Sequence, residues 1–278
     1  MDYGLLLLSC YFMLALGFQV GLMFYVMNMN FPKNSGHANK SVKEPNISMN
    51  NSPLNKRELV FLSSVIMFLA VANIVNLIFE KPFWPITQII YLGYDNNLPA
   101  WYSSMLFVVA GLISYECWVF ANKNKIQGRV ALLFFTLLLF LMSADEIVQI
   151  HEHVGRYVPS IIDLSSKDFA KHTGWVYVGG PLVIAIFIGF MFLLKRILTL
   201  VPGAMLYLAI GFSLIVLGGI VLESSINFLN HEELQWLWDI EVVAEETMEM
   251  LGTIFIAYAL IIWRDGAVHF CYPSVKKS

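Results

Sequence analysis

The chain has 278 residues, 58% hydrophobic and only 13% charged, and its mean hydropathy of +0.67 exceeds what a soluble domain of this length can hide in one core. This is the composition of a polytopic membrane protein with membrane lipids as its immediate partners. The formal net charge of −3, with basic residues scattered through short loops, excludes a nucleic-acid surface, and Cys10, Cys117 and Cys271 lie too far apart for a disulfide framework or a zinc knuckle.

In chain order, the first apolar run, Gly4 to about Met27, is too long for a signal-peptide core and lacks a convincing small-residue cleavage site, so it reads as a retained first span. Residues 28–57 are polar, rich in Asn, Ser and Lys and without hydrophobic periodicity, which predicts a flexible loop carrying the sequon Asn46-Ile47-Ser48. Further spans are predicted at Leu59–Phe79, Leu98–Phe120, Val130–Ile150, Trp175–Leu194, Met205–Ile226 and Ile240–Trp263. The predicted fold is all-α: one membrane-embedded helical domain with about seven transmembrane helices.

The basic residues orient it. With the N-terminus outside and the C-terminus inside, Lys33, Lys40, Lys43, Lys56, Arg57, Lys123, Lys125, Arg129, Lys195, Arg196, Arg264, Lys276 and Lys277 fall inside, leaving Lys81, Arg156, Lys167 and Lys171 outside. Thirteen against four follows the positive-inside rule and makes 28–57 a cytoplasmic loop. Trp84, Trp101, Trp175, Trp236 and Trp238 then gather near the outer boundary, where interfacial anchors belong.

The same topology brings the acids to one depth. Asp145 and Glu146 end the fourth span, Glu223 the sixth, and Glu241, Glu245, Glu246 and Glu249 occupy the outer third of the seventh. A charged side chain inside the hydrocarbon costs about 2.5–3.5 kcal/mol on insertion scales, so such acids point first to a functional site with partners. On an uninterrupted helix Asp145, Glu146, Gln149, Glu152 and His153 share an arc of roughly 120°, with His151 on the other side; Glu241, Glu245, Glu246 and Glu249 share roughly 140°. So many clustered carboxylates require either protonation or cations. Oxygen-rich sets with one or two imidazoles suit iron, manganese or zinc, and bundles build di-iron sites from carboxylates on several helices. The expected ligands are Glu146, His153, Glu245, Glu246 and Glu249, with Asp145 or Glu152 as orienter or proton acceptor in catalysis.

The pattern departs from known templates. A ferritin-like Glu-x-x-His would need histidine where Gln149 stands, and His151-Glu152-His153 is not the His-Glu-x-x-His of zinc proteases. The same acids also read as a hydrogen-bonded network that fixes helix packing, and Asn73, Asn76, Gly211, Gly218 and Gly219 as helix-packing positions. Asp145-Glu146 with His151-Glu152, and Glu245-Glu246 with Glu249-Met250-Leu251-Gly252, resemble the D-E-x(4)-H-E and E-E-x-x-E-M-x-G signatures of an uncharacterised family of prokaryotic multi-pass membrane proteins. The resemblance implies that the two motifs belong together and carries over no activity; the expected location is a prokaryotic cytoplasmic membrane. The seven-span arrangement is similar to the ceramidase-like membrane hydrolases, whose zinc-binding histidine triad is absent from these spans. The functional expectation is an outer-leaflet metal site for hydrolysis or oxidation of a lipid or other apolar substrate. The alternatives are a non-catalytic subunit of a larger membrane complex, with membrane-protein partners, and a proton or cation carrier.

Overall fold

A computed structural model describes residues 56–94, 96–155, 170–226 and 235–271. The predicted first span, and nearly all of the predicted loop at 28–57, lie outside the described residues. The chain divides into two compact units, Met1–Glu58 and Leu59–Ser278, and the helical bundle belongs to the second.

Among the described residues the chain is helical and contains no strand. The elements are α1 (Lys56–Ile78), α2 (Trp84–Ile90), α3 (Leu98–Lys123), α4 (Arg129–Val148), α5 (Ile150–Gly155), α6 (Ala170–Leu198), α7 (Ala204–Val216), a π-helical turn (Leu217–Leu222), α8 (Glu223–Ile226) and α9 (Gln235–Cys271). Six helical stretches are long and apolar enough to cross a membrane: Glu58–Ile78, Leu98–Lys123, Arg129–Val148, Trp175–Leu198, Ala204–Ser225 and Trp238–Val268. Within the described residues the predicted spans are therefore present, and the molecule is an all-α multi-pass membrane protein. The last helix runs beyond Trp263 to Cys271.

Exposure follows from this solvent. On α1 the buried side chains Leu59, Leu62, Ile66, Leu69, Ala70, Asn73 and Asn76 recur at helical spacing, whereas Val60, Phe61, Met67, Phe68, Val71, Ile74, Val75 and Ile78 are exposed. An apolar outer face needs lipid, because in water it would be a large unprotected patch. The helix starts carry local signals. Asn97 caps α3 by accepting from the Ala100 N–H at 3.3 Å, with proline in its first turn, and Gly128 and Gly203 precede α4 and α7 in the left-handed conformation.

The five spans after α1 close into a ring: α3 packs on α4 and α9, α9 on α7, and α6 on both α7 and α4. Since apolar surface gains nothing by leaving lipid, close packing and hydrogen bonds hold such a ring together. The Tyr102 hydroxyl donates to the Leu62 carbonyl at 2.8 Å, fastening α3 to α1. Ser104 donates to the Ser143 carbonyl at 2.9 Å, and Thr136 donates to Ser114 at 3.0 Å, joining α3 to α4. Where α7 crosses α9, Gly211 and Gly252 lie face to face. A Cβ on either would stand 2.7 Å from the other's carbonyl oxygen.

Basic residues gather at one end of the ring. Arg196 hydrogen-bonds to Gln127, and Arg264 pairs with Glu116 at 2.9 Å and with Asp265 at 3.2 Å. The Trp263 indole donates to the Ile197 carbonyl at 2.7 Å beside them. Glu116 thus takes its partner from the last span.

Candidate functional site

At the other end, α4 breaks. Gln149 adopts a left-handed conformation (φ 56°, ψ 44°), its N–H donates to the Asp145 carbonyl at 2.7 Å, and α5 restarts in a new direction. The Asp145 side chain spans the break: Oδ1 accepts the His151 backbone N–H at 3.1 Å and Oδ2 lies 2.6 Å from His151 Nδ1. The phase expected from an uninterrupted helix is corrected here, because the break folds His151 back onto Asp145. His153 is exposed, with Nδ1 placed 2.7 Å from the Gln149 carbonyl oxygen. The structure therefore does not bring His153 among the carboxylates. Glu152 lies on α5, and its side chain falls outside the described part of the molecule.

His151 leads to α6. Its ring meets the edge of the Trp175 ring at 4.8 Å, and the Trp175 indole N–H donates to Glu223 Oε1 at 2.7 Å. Room for the indole comes from Gly179, where a Cβ would lie 2.8 Å from the Trp175 ring. Asp145, His151, Trp175 and Glu223 thus form one connected line across α4, α5, α6 and α8.

The carboxylates stand around that line. Glu146 is within hydrogen-bond reach of the Ser103 hydroxyl and interacts electrostatically with Glu249. Glu249 in turn feels Glu223, His151 and Asp145, and Glu245 feels Glu223, Glu249, Glu246 and Glu241. Three spans thereby contribute carboxylates to one neighbourhood, as their depths in the sequence suggested. Glu246 adjoins the group through Glu245. Glu241, only 8% exposed, stands one turn further out beside Glu245.

Backbone shape accommodates the acids. Gly218 and Gly219 sit in the π turn against α9: a Cβ at Gly218 would approach the Glu245 carbonyl oxygen at 2.8 Å, and one at Gly219 would run into the Glu249 carboxylate. Further out, Asp239 accepts from the Tyr91 hydroxyl at 2.9 Å and pairs with Lys81 at 3.4 Å, with the Lys81 ammonium 4.5 Å from the Tyr91 ring centroid. Burial and the neighbouring Asp239 carboxylate push the Tyr91 hydroxyl above a tyrosine's ordinary value, so it remains a donor at neutral pH.

Among the described residues, no three of His, Cys, Asp and Glu are placed to hold a metal ion as they stand. The carboxylates share a neighbourhood without forming a finished coordination sphere. Sequence reasoning missed His151, which it set on the wrong face, and the part played by Trp175, which it treated as an interfacial anchor. The neighbouring Gly218-Gly219 pair was the available hint that the helix carrying Glu223 is irregular there.

Residues 59–263 match the family described as Domain of unknown function (DUF8692). The chain belongs to that family. The DUF8692 match includes every residue of the line and the carboxylate group just described. No curated protein and no solved structure matches the chain.

Proposed function

We propose that the carboxylate end of the ring is an outward-facing cation site that takes one or two divalent ions (iron, manganese or zinc) and acts by hydrolysis or oxidation on a lipid or other apolar substrate entering from the bilayer. The observation that supports this reading is that Glu146, Glu223, Glu245 and Glu249, from three membrane spans, are electrostatically linked to one another, with the His151 imidazole within reach of Glu146 and Glu249. Two like unit charges 6 Å apart repel by roughly 3 kcal/mol at an effective dielectric near 20, so carboxylates gathered in one neighbourhood favour protonation or a counter-ion. A divalent ion removes that repulsion with oxygen ligands already at hand.

In this reading Glu146, Glu245 and Glu249 are ligands and Glu246 an adjacent one. His151 replaces His153 as the imidazole, oriented through Nδ1 by Asp145 in the way carboxylates orient metal-binding histidines. Glu152, on the same short helix, is the proton acceptor. A bound ion would supply Lewis acidity or redox chemistry. The basic residues at the opposite end support an outward site in a cytoplasmic membrane, by the positive-inside rule.

A second reading has its own support. The Asp145–His151 and Trp175–Glu223 pairs tie four helical segments together, which suits a non-catalytic subunit whose polar network fixes its shape within a larger membrane complex. Elemental analysis of the protein beside a Glu146→Gln/Glu249→Gln variant separates the two. Stoichiometric metal lost in the variant supports the cation site. Metal-free protein that takes up no added iron, manganese or zinc leaves the structural network as the better account.

A further inference from the structure

Two helix ends meet at the basic end of the ring. α3 stops in a turn where the Ile126 N–H donates to the Ala121 carbonyl at 2.9 Å and the Lys125 N–H to the Asn122 carbonyl at 3.2 Å, with Lys125 in the left-handed conformation (φ 53°). Glycine ordinarily takes that position, because a Cβ there crowds the following carbonyl oxygen. The chain then lies against the last turn of α6: a Cβ at Gly128 would stand 3.4 Å from Ile197 Cβ and 3.8 Å from Arg196 Cβ. Lys123, Lys125 and Arg129 are thereby brought to the same place as Lys195 and Arg196.

The partners of these cations set them apart from the other basic residues of the bundle. Arg129 Nε donates to the Asn122 side-chain oxygen at 3.1 Å, and Arg196 donates to the Gln127 side-chain oxygen. Neutral amides orient both guanidinium groups and leave their charge in place. Arg264 and Lys81, by contrast, are offset by Glu116 and Asp265 and by Asp239. Among the described residues, no carboxylate pairs with any of the five. Helix dipoles favour Lys123, Lys195 and Arg196 in the last turns of α3 and α6. They disfavour Arg129 at the start of α4, and the positive-inside rule asks only for charge in a loop, not for oriented arginines or a left-handed lysine.

An apolar seam leads away from the cations between α4 and α6. The Phe135 and Phe190 rings pack there with centroids 5.4 Å apart. Residue 128 lies against 197 and residue 135 against 190, so the two helices run antiparallel. Arg129 and Arg196 each stand six residues from that ring contact toward the basic end, about 9 Å along their helices. At about 100° per residue Phe134 and Leu193 fall on the same side of the seam, and each is 56% exposed. Arginine forks at the end of a lipid-facing seam match a phosphate diester that carries acyl chains, because a guanidinium meets two phosphate oxygens at once. Basic pockets between membrane helices bind such headgroups.

We propose that the basic end of the α4–α6 seam is a binding site for an anionic glycerophospholipid. Arg129 and Arg196 take the phosphate, Lys123, Lys125 and Lys195 supply the surrounding positive field, and the acyl chains lie along Phe134 and Leu193. The site is separate from the carboxylate end of the ring and does not depend on a cation binding there.

The test uses the full chain in nonionic detergent micelles, with dioleoyl phosphatidylglycerol as the probe and dioleoyl phosphatidylcholine beside it, and native mass spectrometry reads the lipid-bound fraction. The variants are Arg129→Gln/Arg196→Gln, Arg129→Lys/Arg196→Lys and Lys125→Gly. The wild type is expected to bind phosphatidylglycerol about tenfold more tightly than phosphatidylcholine, and the double glutamine variant to lose most of that preference. The double lysine variant keeps the charge but not the fork, so it should fall between the two. Lys125→Gly should bind more weakly while unfolding at a temperature no lower than the wild type, since glycine relieves the left-handed turn; a merely structural lysine would not separate the two readouts. Equal affinity for the two lipids, or wild-type affinity in the double glutamine variant, overturns the site. Wild-type affinity in the double lysine variant reduces it to diffuse surface charge and overturns the arginine assignment. Displacement of the lipid by inorganic phosphate at equal concentration overturns the lipid as occupant in favour of a free anion. Should the double glutamine variant fail to fold, the lipid preference of the wild type and the double lysine variant decide.

Discussion

Replacing Gly211 by alanine tests the packing that holds the acids of α9 beside α7. The added methyl would lie 2.7 Å from the Gly252 carbonyl oxygen, 2.8 Å from Ile256 Cγ1 and 3.1 Å from the Ile256 nitrogen. Two of these atoms are backbone of the facing helix, so no side chain can swing aside and the helices must separate. Overpacking of this sort costs about 1–3 kcal/mol. Against it stands the helix preference for alanine over glycine, close to 1 kcal/mol. Gly189 isolates that second effect, because a Cβ there meets nothing within 4 Å. Gly189→Ala is therefore expected to stabilise the protein, and Gly211→Ala to fall below it by roughly 1–3 kcal/mol, the overpacking alone. Reversible unfolding of both variants in mixed micelles, followed by circular dichroism, measures the difference. Equal stability of the two would show that α7 and α9 do not approach closely at Gly211.

Arg264→Leu leaves Glu116, with 21% of its side chain exposed, without its 2.9 Å partner. A loss of about 3–5 kcal/mol is expected, most of it recovered when Glu116→Leu is added, and a single-variant loss below ~1 kcal/mol in the same unfolding assay would contradict the pairing. Asn73 is fully buried, and among the described residues neither its amide nitrogen nor its oxygen has a hydrogen-bond partner. Asn73→Leu should therefore raise stability by about 1–3 kcal/mol, and a fall instead would reveal a partner. In chelator, Glu249→Gln should be more stable than the wild type, since it removes one of several mutually repelling carboxylates. With Mn²⁺ at a hundredfold its dissociation constant the wild type should gain about 2.7 kcal/mol that the variant lacks, and a gain equal in both would place the ion elsewhere.

What could be read from the chain and what could not divides along physical lines. Asp145, Glu146, Glu245 and Glu249 were legible as acids of one depth because depth in a membrane follows from residue count: each helical residue advances about 1.5 Å, and span boundaries are set by hydropathy. His151 and His153 were misassigned because phase is reliable only while the helix continues. Gln149 in a left-handed conformation has no glycine or asparagine to announce it, and the Asp145 side chain that caps the restart serves as well in an unbroken helix.

The sequence by itself determined that this is a multi-pass helical membrane protein, where six of its spans lie, and that its acids collect at one end opposite its basic residues. These follow from composition and one-dimensional counting, since lipid imposes a length and an apolar surface on any segment that crosses it. Only the tertiary structure decided which spans are neighbours, that Arg264 serves Glu116, that His151 faces Asp145, and that a π turn precedes Glu223. Those outcomes depend on sub-ångström fits such as Gly211 on Gly252 and on breaks in helical register. Helix association within lipid is governed by such fits, because no net hydrophobic drive remains to select partners from sequence alone.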